Sequence, residues 1–191
     1  MDLVIGTKDS ANKILWDEAK ADRAQGGFTL IGSVLSGLTV LLKGAPLLVN
    51  YTTRTATVVK TATVITGGNT TTTRVSKGSA FKIGSVISEA AGAIAVAITA
   101  IDTTNAAYDV FTHLSNTTAF TAGNVLFEAD VVGATSAYLY AVNALLSDNT
   151  PIKGSSTVTA VIRALEVKEA NLPYPISAAM KTALTARFQF I

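Results

Sequence analysis

The stretch RTATVVKTATVITGGNTTTTRV, residues 54–75, decides the fold class of this chain. Over residues 54–66, small and polar side chains alternate with β-branched ones, and a Gly-Gly-Asn turn at 67–69 then leads into a run of threonines. Alternation with a period of two indicates strands, β-branched residues favour strands, and Gly and Asn favour turns. The stretch therefore predicts two strands joined by a turn.

Similar signals recur on both sides of this stretch. Apolar runs flank a turn sequence in VLLKGAPLLVNY at 40–51, and AGAIAVAITAID at 91–102 is rich in β-branched residues after a glycine. Two more strands are predicted in SAYLYAVNALL at 136–146 and in STVTAVIRALEV at 156–167, with a turn between them. Short strands with turn signals about every ten residues are typical of sandwiches and barrels. The sequence predicts a mainly β fold, either a β-sandwich or a small β-barrel.

One short helix is predicted near the C-terminus, from Ser177 or Ala178 to Arg187. Ser177 is a good N-cap, and Pro175 ends the extended segment before it. The helical period places Ile176, Met180, Ala183 and Leu184 on one face, which is expected to pack against the sheet. The residues expected to pack in the core or against another subunit are Tyr174, Met180, Leu184, Phe188, Phe190 and Ile191.

The composition points to a partly covered surface. Of the 191 residues, 49% are hydrophobic and only 15% are charged, against about 25% in average proteins. A chain this poor in charge is expected to hide part of its surface in an oligomer or against a partner, although a neutral Thr- and Ala-rich β surface is the other interpretation. The formal net charge of +2 argues against a nucleic-acid binder. Because Cys is absent, disulfides and thiolate metal sites are excluded.

Residues 1–25 differ from the rest, because charged side chains crowd this span. Ile14, Leu15 and Trp16 are its apolar anchors. The span is expected to be either a short helix or an extended arm that orders on a partner, with residues 26–191 forming the β domain. The single Trp fits two roles equally well, as an anchor on the partner or as a cover for the edge of the domain.

The charges are segregated along the chain. No acid lies between Asp22 and Glu89, and no Lys or Arg lies between Lys82 and Lys153. The basic block contains Arg23, Lys43, Arg54, Lys60, Arg74, Lys77 and Lys82, and the acidic block contains Glu89, Asp102, Asp109, Glu128, Asp130 and Asp148. The two blocks can pair within one subunit, pair between subunits of a ring, or present a basic face to an acidic partner. Scattered charges without a net field remain a fourth interpretation.

No catalytic, metal or cofactor site is expected. His113 is the only histidine, no Gly-x-Ser-x-Gly elbow accompanies it, and its expected place is the surface of a strand or turn. Asp102 and Asp109 can lie close together across a turn, but two acids in such a unit are more often solvated than functional. The uncharged run at 25–42 contains four glycines, so it is a poor candidate for a spanning helix, and no membrane association is expected.

Two motifs stand out near the C-terminus. Their residues are Glu166, Val167, Glu169 and Ala170 at the end of a predicted strand, and Ala178, Ala179, Lys181, Ala183 and Leu184 in the predicted helix. In these motifs the chain resembles tailed-phage capsid decoration proteins and phage head fiber proteins, which end on a strand with a Gly-Glu-Val-x-Glu pattern, a short loop, and a helix of the form Ala-Ala-x-Lys-x-Ala-Leu before an apolar C-terminus. Leu165 departs from the pattern, because glycine is common there. Residues 41–56 and 97–109 resemble the early hairpin and the middle strand of those families, so the likeness covers 26–191.

The resemblance implies a β-sandwich or β-tulip-like barrel subunit with no enzymatic activity. Such a subunit forms a homotrimer on the outside of a virion and binds the major capsid protein, as a cement or as the base of a fiber. Ile14, Leu15 and Trp16 are then the expected capsid contact. Two other interpretations stay open, namely a tail or neck subunit and a carbohydrate-binding adhesin domain. A long hairpin free to assemble into a tube favours the first, and exposed aromatic side chains at loop tips favour the second.

Overall fold

The computed structural model describes residues 13–32, 35, 38–153 and 156–191, and it is mainly β with one short C-terminal helix. In these residues the strands are β1 Asp22–Arg23, β2 Phe28–Leu30, β3 Val40–Leu41, β4 Pro46–Asn50, β5 Thr55–Val58, β6 Thr61–Ile65, β7 Thr72–Ser76, β8 Val86–Ser88, β9 Val96–Asp102, β10 Tyr108–His113, β11 Val125–Glu128, β12 Ala144–Leu146, β13 Thr150–Pro151, β14 Ser156–Val158, β15 Ala160–Val167 and β16 Phe188–Phe190. The helix is α1 Ala178–Leu184, and two 3-10 turns span Glu18–Lys20 and Glu169–Asn171. The predicted fold class is confirmed.

The strands form an open sheet and a closed barrel. The sheet has eight strands in the order β1-β15-β12-β4-β5-β2-β14, with β16 beside β15. Its pairs are antiparallel except β2 with β5 and β15 with β16. The barrel closes in the order β10-β7-β6-β11-β8-β9, with every pair antiparallel. A separate two-stranded sheet joins β3 and β13.

The stretch at 54–75 links the open sheet to the closed barrel. Its first strand, β5, lies in the sheet, and after only two residues β6 begins in the barrel. The predicted turn joins β6 to β7, and the Asn69 side chain accepts hydrogen bonds from the backbone N–H groups of Thr71 and Thr72 at 2.8 Å each. Gly67 adopts a φ of 105° in this turn, which favours glycine. The predicted hairpin is therefore confirmed as the β6–β7 pair.

Both faces of the sheet are covered. On β12, Ala144 and Leu146 belong to one apolar cluster and Leu145 to another, as expected for side chains that alternate across a strand. The second cluster also contains Met180 and Leu184 of α1, so the helix packs on the sheet as predicted. The barrel has its own core, which contains Val64, Val75, Phe81, Ile87, Val96, Ile98, Phe111 and Leu126 among others.

The helix is close to its predicted bounds. Ser177 is its N-cap, and the Ser177 hydroxyl accepts the N–H of Met180. The helix ends at Leu184, three residues before Arg187, and its last turn carries Lys181. Ala183 is exposed rather than on the buried face, because the helix is short and contacts the sheet mainly through Met180 and Leu184. No helix in the described residues is long and apolar enough to cross a membrane.

The arm predicted for residues 1–25 needs correction over its described part, 13–25. Strand β1 pairs with β15, and the backbone oxygen of Leu15 accepts the N–H of Lys168 at 2.7 Å. Trp16 is 1% exposed and lies in the same apolar cluster as α1. This span therefore belongs to the sheet, with a short 3-10 turn at Glu18–Lys20, and Trp16 takes the domain-covering role that the sequence left open. Residues 1–12 of the predicted arm lie outside the described residues.

Tyr174 gives a pH-dependent test of this packing. Burial raises the pKa of the Tyr174 hydroxyl above its ordinary 10.0, and a hydrogen bond with the Leu42 backbone offsets part of that. The folded protein thus favours the neutral phenol, so its contribution is complete below pH 10 and is lost as the pH rises through the raised pKa. We expect the midpoint of urea unfolding to fall above pH 10, and to fall less steeply for Tyr174→Phe. Equal slopes for the two proteins between pH 9 and pH 12 contradict this.

Candidate interaction surfaces

A buried polar network lies where the sheet meets the barrel. Lys60, between β5 and β6, is only 2% exposed, and its ammonium nitrogen lies 2.7 Å from Glu128 Oε1. The Ser85 hydroxyl donates to the same Oε1 at 2.8 Å and lies 3.3 Å from the Lys60 nitrogen. Glu128 Oε2 has no hydrogen-bond partner among the described residues. A buried charge is tolerated only when it is paired, so these three side chains form one structural unit.

Two further polar groups are also engaged inside the barrel. Asp109 is 4% exposed and accepts hydrogen bonds from the Lys77 ammonium at 2.8 Å and from the Gly78 N–H at 3.1 Å. His113 is buried, not on the surface as the sequence predicted, because it sits beside Phe120 in the barrel. Its Nδ1 is 2.8 Å from the Leu114 carbonyl, so Nδ1 carries the proton and Nε2 accepts from the Thr73 hydroxyl at 2.8 Å.

Two of these contacts show how four of the segregated charges are paired. Lys60 with Glu128 and Lys77 with Asp109 each join the basic block to the acidic block within one chain. Asp102 differs from these paired acids, because it is exposed and accepts a hydrogen bond from the Thr104 backbone N–H, which lowers its pKa. Asp102 and Asp109 therefore do not form a shared carboxylate site. In the described residues, no group of three or more His, Asp or Glu side chains could hold a metal ion.

The predicted capsid-contact residues separate in the structure. Leu15 and Trp16 are buried in this chain's own core, so neither can contact another protein in this conformation. Ile14 is 65% exposed, and its backbone oxygen accepts from the Asn171 side chain at 3.0 Å. Of the three, only Ile14 presents its side chain to the outside. The capsid contact itself stays a prediction.

An ionic cluster around Glu18 holds the segment that contains Ile14, Leu15 and Trp16 on the sheet. Glu18 is paired with both Arg23 and Lys43, and the Lys43 ammonium also lies 4.9 Å from the ring centre of Trp16. Burial acts to raise the pKa of Glu18, but the hydrogen bond and charge of Lys43, together with Arg23, outweigh it and hold the pKa below its ordinary 4.5. The cluster therefore holds Glu18 beside the Lys43 side chain, whose ammonium group lies near the ring of Trp16.

The predicted C-terminal packing residues also divide into two groups. Four of them are buried in the core of this chain, namely Tyr174, Met180, Leu184 and Phe188. Phe190 is half-buried against the same cluster as α1, and Ile191 is 62% exposed. The first four are core residues, whereas the Ile191 side chain is exposed to solvent.

An apolar loop that we name the knob, residues 129–139, stands on the surface between β11 and β12. Val131 is 46% exposed, Val132 is 48% exposed and Leu139 is 40% exposed. The loop is held by its own backbone, because Asp130 N–H donates to the Ala137 carbonyl at 3.1 Å. From Val131 onward it belongs to a run without Lys, Arg, Asp or Glu that extends from 131 to 147. Exposed apolar side chains on an ordered loop make it a candidate for contact with another protein.

A groove of about 510 Å³ lies on the barrel near the β9–β10 turn. Apolar side chains form much of its lining, and Ile83 beside it is 63% exposed. Lys77 and Lys82 give the groove a basic rim. The side chains that line it are those of Leu38, Lys77, Phe81, Lys82, Ile83 and Ile101, together with Ser79, Thr103 and Asp109.

Sequence reasoning missed the buried network and the knob. Lys60 lies between β5 and β6 within the stretch 54–66, and the identity of its partner Glu128 depends on long-range pairing. The last part of the knob, 136–139, falls in a run predicted to be a strand, which contains Tyr138 and Tyr140, and tyrosine favours strands. Only Ala144–Leu146 of that run is a strand, since Tyr138 instead stacks on Phe127 with ring centres 3.9 Å apart.

Comparison with known proteins gave no match. No protein-family model matches the chain, and no curated protein and no solved structure is significantly similar to it.

Proposed function

We propose that this chain is a non-enzymatic structural protein of a virion, which binds the outer surface of a phage capsid as a cement protein or as the base of a head fiber. Its partners are the major capsid protein and further copies of itself in a homotrimer. The resemblance of residues 26–191 to decoration and head fiber proteins suggested this function. Contacts of the described residues support it in two ways.

The observation that carries the proposal is how the chain distributes polar and apolar groups. Inside, the groups able to do chemistry are engaged with each other, as in the pairs Lys60 with Glu128 and Lys77 with Asp109. Outside, an ordered loop presents Val131, Val132 and Leu139 to solvent. Buried pairs suit a rigid subunit, and an exposed apolar loop suits binding to other proteins.

The other two interpretations receive less support. A tail-tube subunit requires a hairpin with free edges, but β6 pairs with β11 and β7 pairs with β10 within the closed barrel. A carbohydrate-binding domain requires exposed aromatic rings at loop tips. Tyr51 is 52% exposed, whereas Tyr108 lies under the Arg74 guanidinium and Tyr174 is buried.

The proposal is tested by co-sedimentation of the purified protein with capsids of the phage that carries its gene. We expect saturable binding at a fixed number of copies per capsid. Ile14→Arg places a charge at the exposed residue of the predicted contact and is expected to weaken binding about tenfold or more, because a desolvated charge opposes apolar contact. The control is Thr53→Arg, an exposed turn residue of the sheet. Absence of wild-type binding to capsids that lack this protein contradicts the proposal.

A further inference from the structure

We propose that the knob of one copy of this chain binds in the basic-rimmed groove on the barrel of a second copy. The contact specifies which surfaces form the homotrimer, so it rests on the self-association part of the proposed function. It does not depend on capsid binding.

The knob is held rigidly on the barrel. Its middle is fixed, because Gly133 and Ala95 exchange backbone hydrogen bonds of 2.9 and 3.0 Å. Ser136 adds a hydrogen bond from its hydroxyl to the Ala93 carbonyl at 2.7 Å. An ordered apolar loop loses little conformational entropy when it binds, so its burial in a partner is favourable.

The groove offers a matching receptor. Phe81, Ile83 and Ile101 supply apolar surface at a site of about 510 Å³, which has room for apolar side chains such as those of Val131 and Val132. Lys77 is held in place by Asp109, so this part of the rim is rigid. Both partners therefore present apolar centres with polar edges, which is the usual anatomy of a protein interface.

The two surfaces cannot meet within one subunit. Ala95, which holds the knob, precedes the first residue of β9, whereas Ile101 in the groove lies at the other end of the same strand. Six residues of extended strand separate them, or about 20 Å. A contact between knob and groove thus joins two copies head to tail, and such a contact generates a closed ring when the rotation between copies closes.

Charge favours the same pairing. Asp130 is an exposed acid at the start of the knob, and Lys82 is a base on the groove rim. In the part of the chain that the structure describes, neither side chain forms an ion pair, and the Asp130 carboxylate accepts one hydrogen bond, from the Ala137 N–H at 2.8 Å. Asp130 belongs to the acidic block and Lys82 to the basic block, and the ion pairs within the described part of one chain use neither of them. Opposite charges on two surfaces that meet favour the correct orientation and speed association.

The test is light scattering coupled to size exclusion, over a range of protein concentrations at low salt. The wild type is expected to have a mass three times the 19.7 kDa of one chain. Val132→Arg is expected to give the monomer. Lys82→Glu is expected to raise the concentration for half-assembly about tenfold. Asp130→Asn removes the charge but keeps the oxygen that accepts the Ala137 N–H at 2.8 Å, and it is expected to raise that concentration by a smaller factor. Circular dichroism melting checks that each variant is folded.

The control is Ile191→Arg, at the exposed C-terminal residue, which is expected to leave the mass unchanged. A monomeric wild type at all concentrations overturns the inference. So does an unchanged oligomer for Val132→Arg, or an oligomer that is lost only with Ile191→Arg, since the contact then lies at the C-terminus. Capsid binding by a monomeric wild type leaves the capsid function standing while the inference fails, so the two failures are distinguishable.

Discussion

Lys60→Met is expected to lower the free energy of unfolding by about 3–5 kcal/mol, because it leaves the buried Glu128 carboxylate without its cation. The loss is large because the Lys60 and Glu128 side chains are only 1% and 8% exposed, so water cannot replace the missing partner. Ser85 remains as one hydrogen-bond donor to Glu128, but it carries no charge. Urea unfolding followed by circular dichroism measures the change.

The matched control is the double variant Lys60→Met with Glu128→Leu. Replacing both charges by apolar side chains removes the desolvation cost of the pair, so the double variant is expected to be more stable than Lys60→Met alone. Arg163→Met is a second control, because the Arg163 and Asp22 side chains of that ion pair are 60% and 61% exposed, so water screens its loss. A loss below about 1 kcal/mol for Lys60→Met contradicts the buried network.

Trp16→Ala is expected to cost about 3–5 kcal/mol, as for other large side chains removed from a core. Trp16 is 1% exposed, it packs in the cluster that holds α1 on the sheet, and its ring lies beside the Lys43 ammonium. The same measurement of urea unfolding by circular dichroism applies, since the variant loses the only Trp. This result distinguishes a core residue from a residue on a free arm, for which the change would be small.

Two variants sharpen the interpretation of Trp16. Trp16→Phe keeps a ring and removes an indole N–H that has no hydrogen-bond partner among the described residues, so it is expected to cost clearly less than Trp16→Ala. Ile14→Ala changes a neighbour that is 65% exposed and is expected to stay within about 0.5 kcal/mol of the wild type. Equal losses for Trp16→Ala and Ile14→Ala contradict the placement of Trp16 in the core.

The local elements could be predicted because their signals are local. Alternation over 54–66 and the Gly-Gly-Asn turn are enough for the β6–β7 hairpin, and Ser177 with the spacing of Met180 and Leu184 is enough for α1. Neither the closure of the barrel nor its order could be predicted. Those features depend on pairs such as β7 with β10, whose residues are separated by more than thirty positions, for example Thr73 with Phe111.

The amino-terminal segment shows why composition can mislead. Its many charges suggested a solvated arm, but Glu18 pairs with Lys43 as well as with Arg23, and Lys43 lies in another part of the sequence. In the described part of this segment, Glu18 and Arg23 thus take part in ion pairs within the fold. Leu15 and Trp16 are apolar in both interpretations, so sequence alone could not choose between a capsid contact and a cover for the sheet.

The interaction surfaces could be predicted only in outline. Low charge content indicated a covered surface, and the segregation of acids and bases indicated complementary edges. Which charges remain for a partner depends on which are used internally, and that depends on tertiary pairs such as Lys77 with Asp109. Val131 and Val132 form part of an apolar run in sequence, and only the loop conformation leaves them exposed.

The measurement that tests the central claim most directly is immunogold electron microscopy of intact phage particles, with antibodies raised against this purified chain. The account predicts label over the outer surface of the head. A particle preparation from a gene deletion supplies the background. Label confined to the tail or neck, or no label above the deletion background on intact and on disrupted particles, would contradict it.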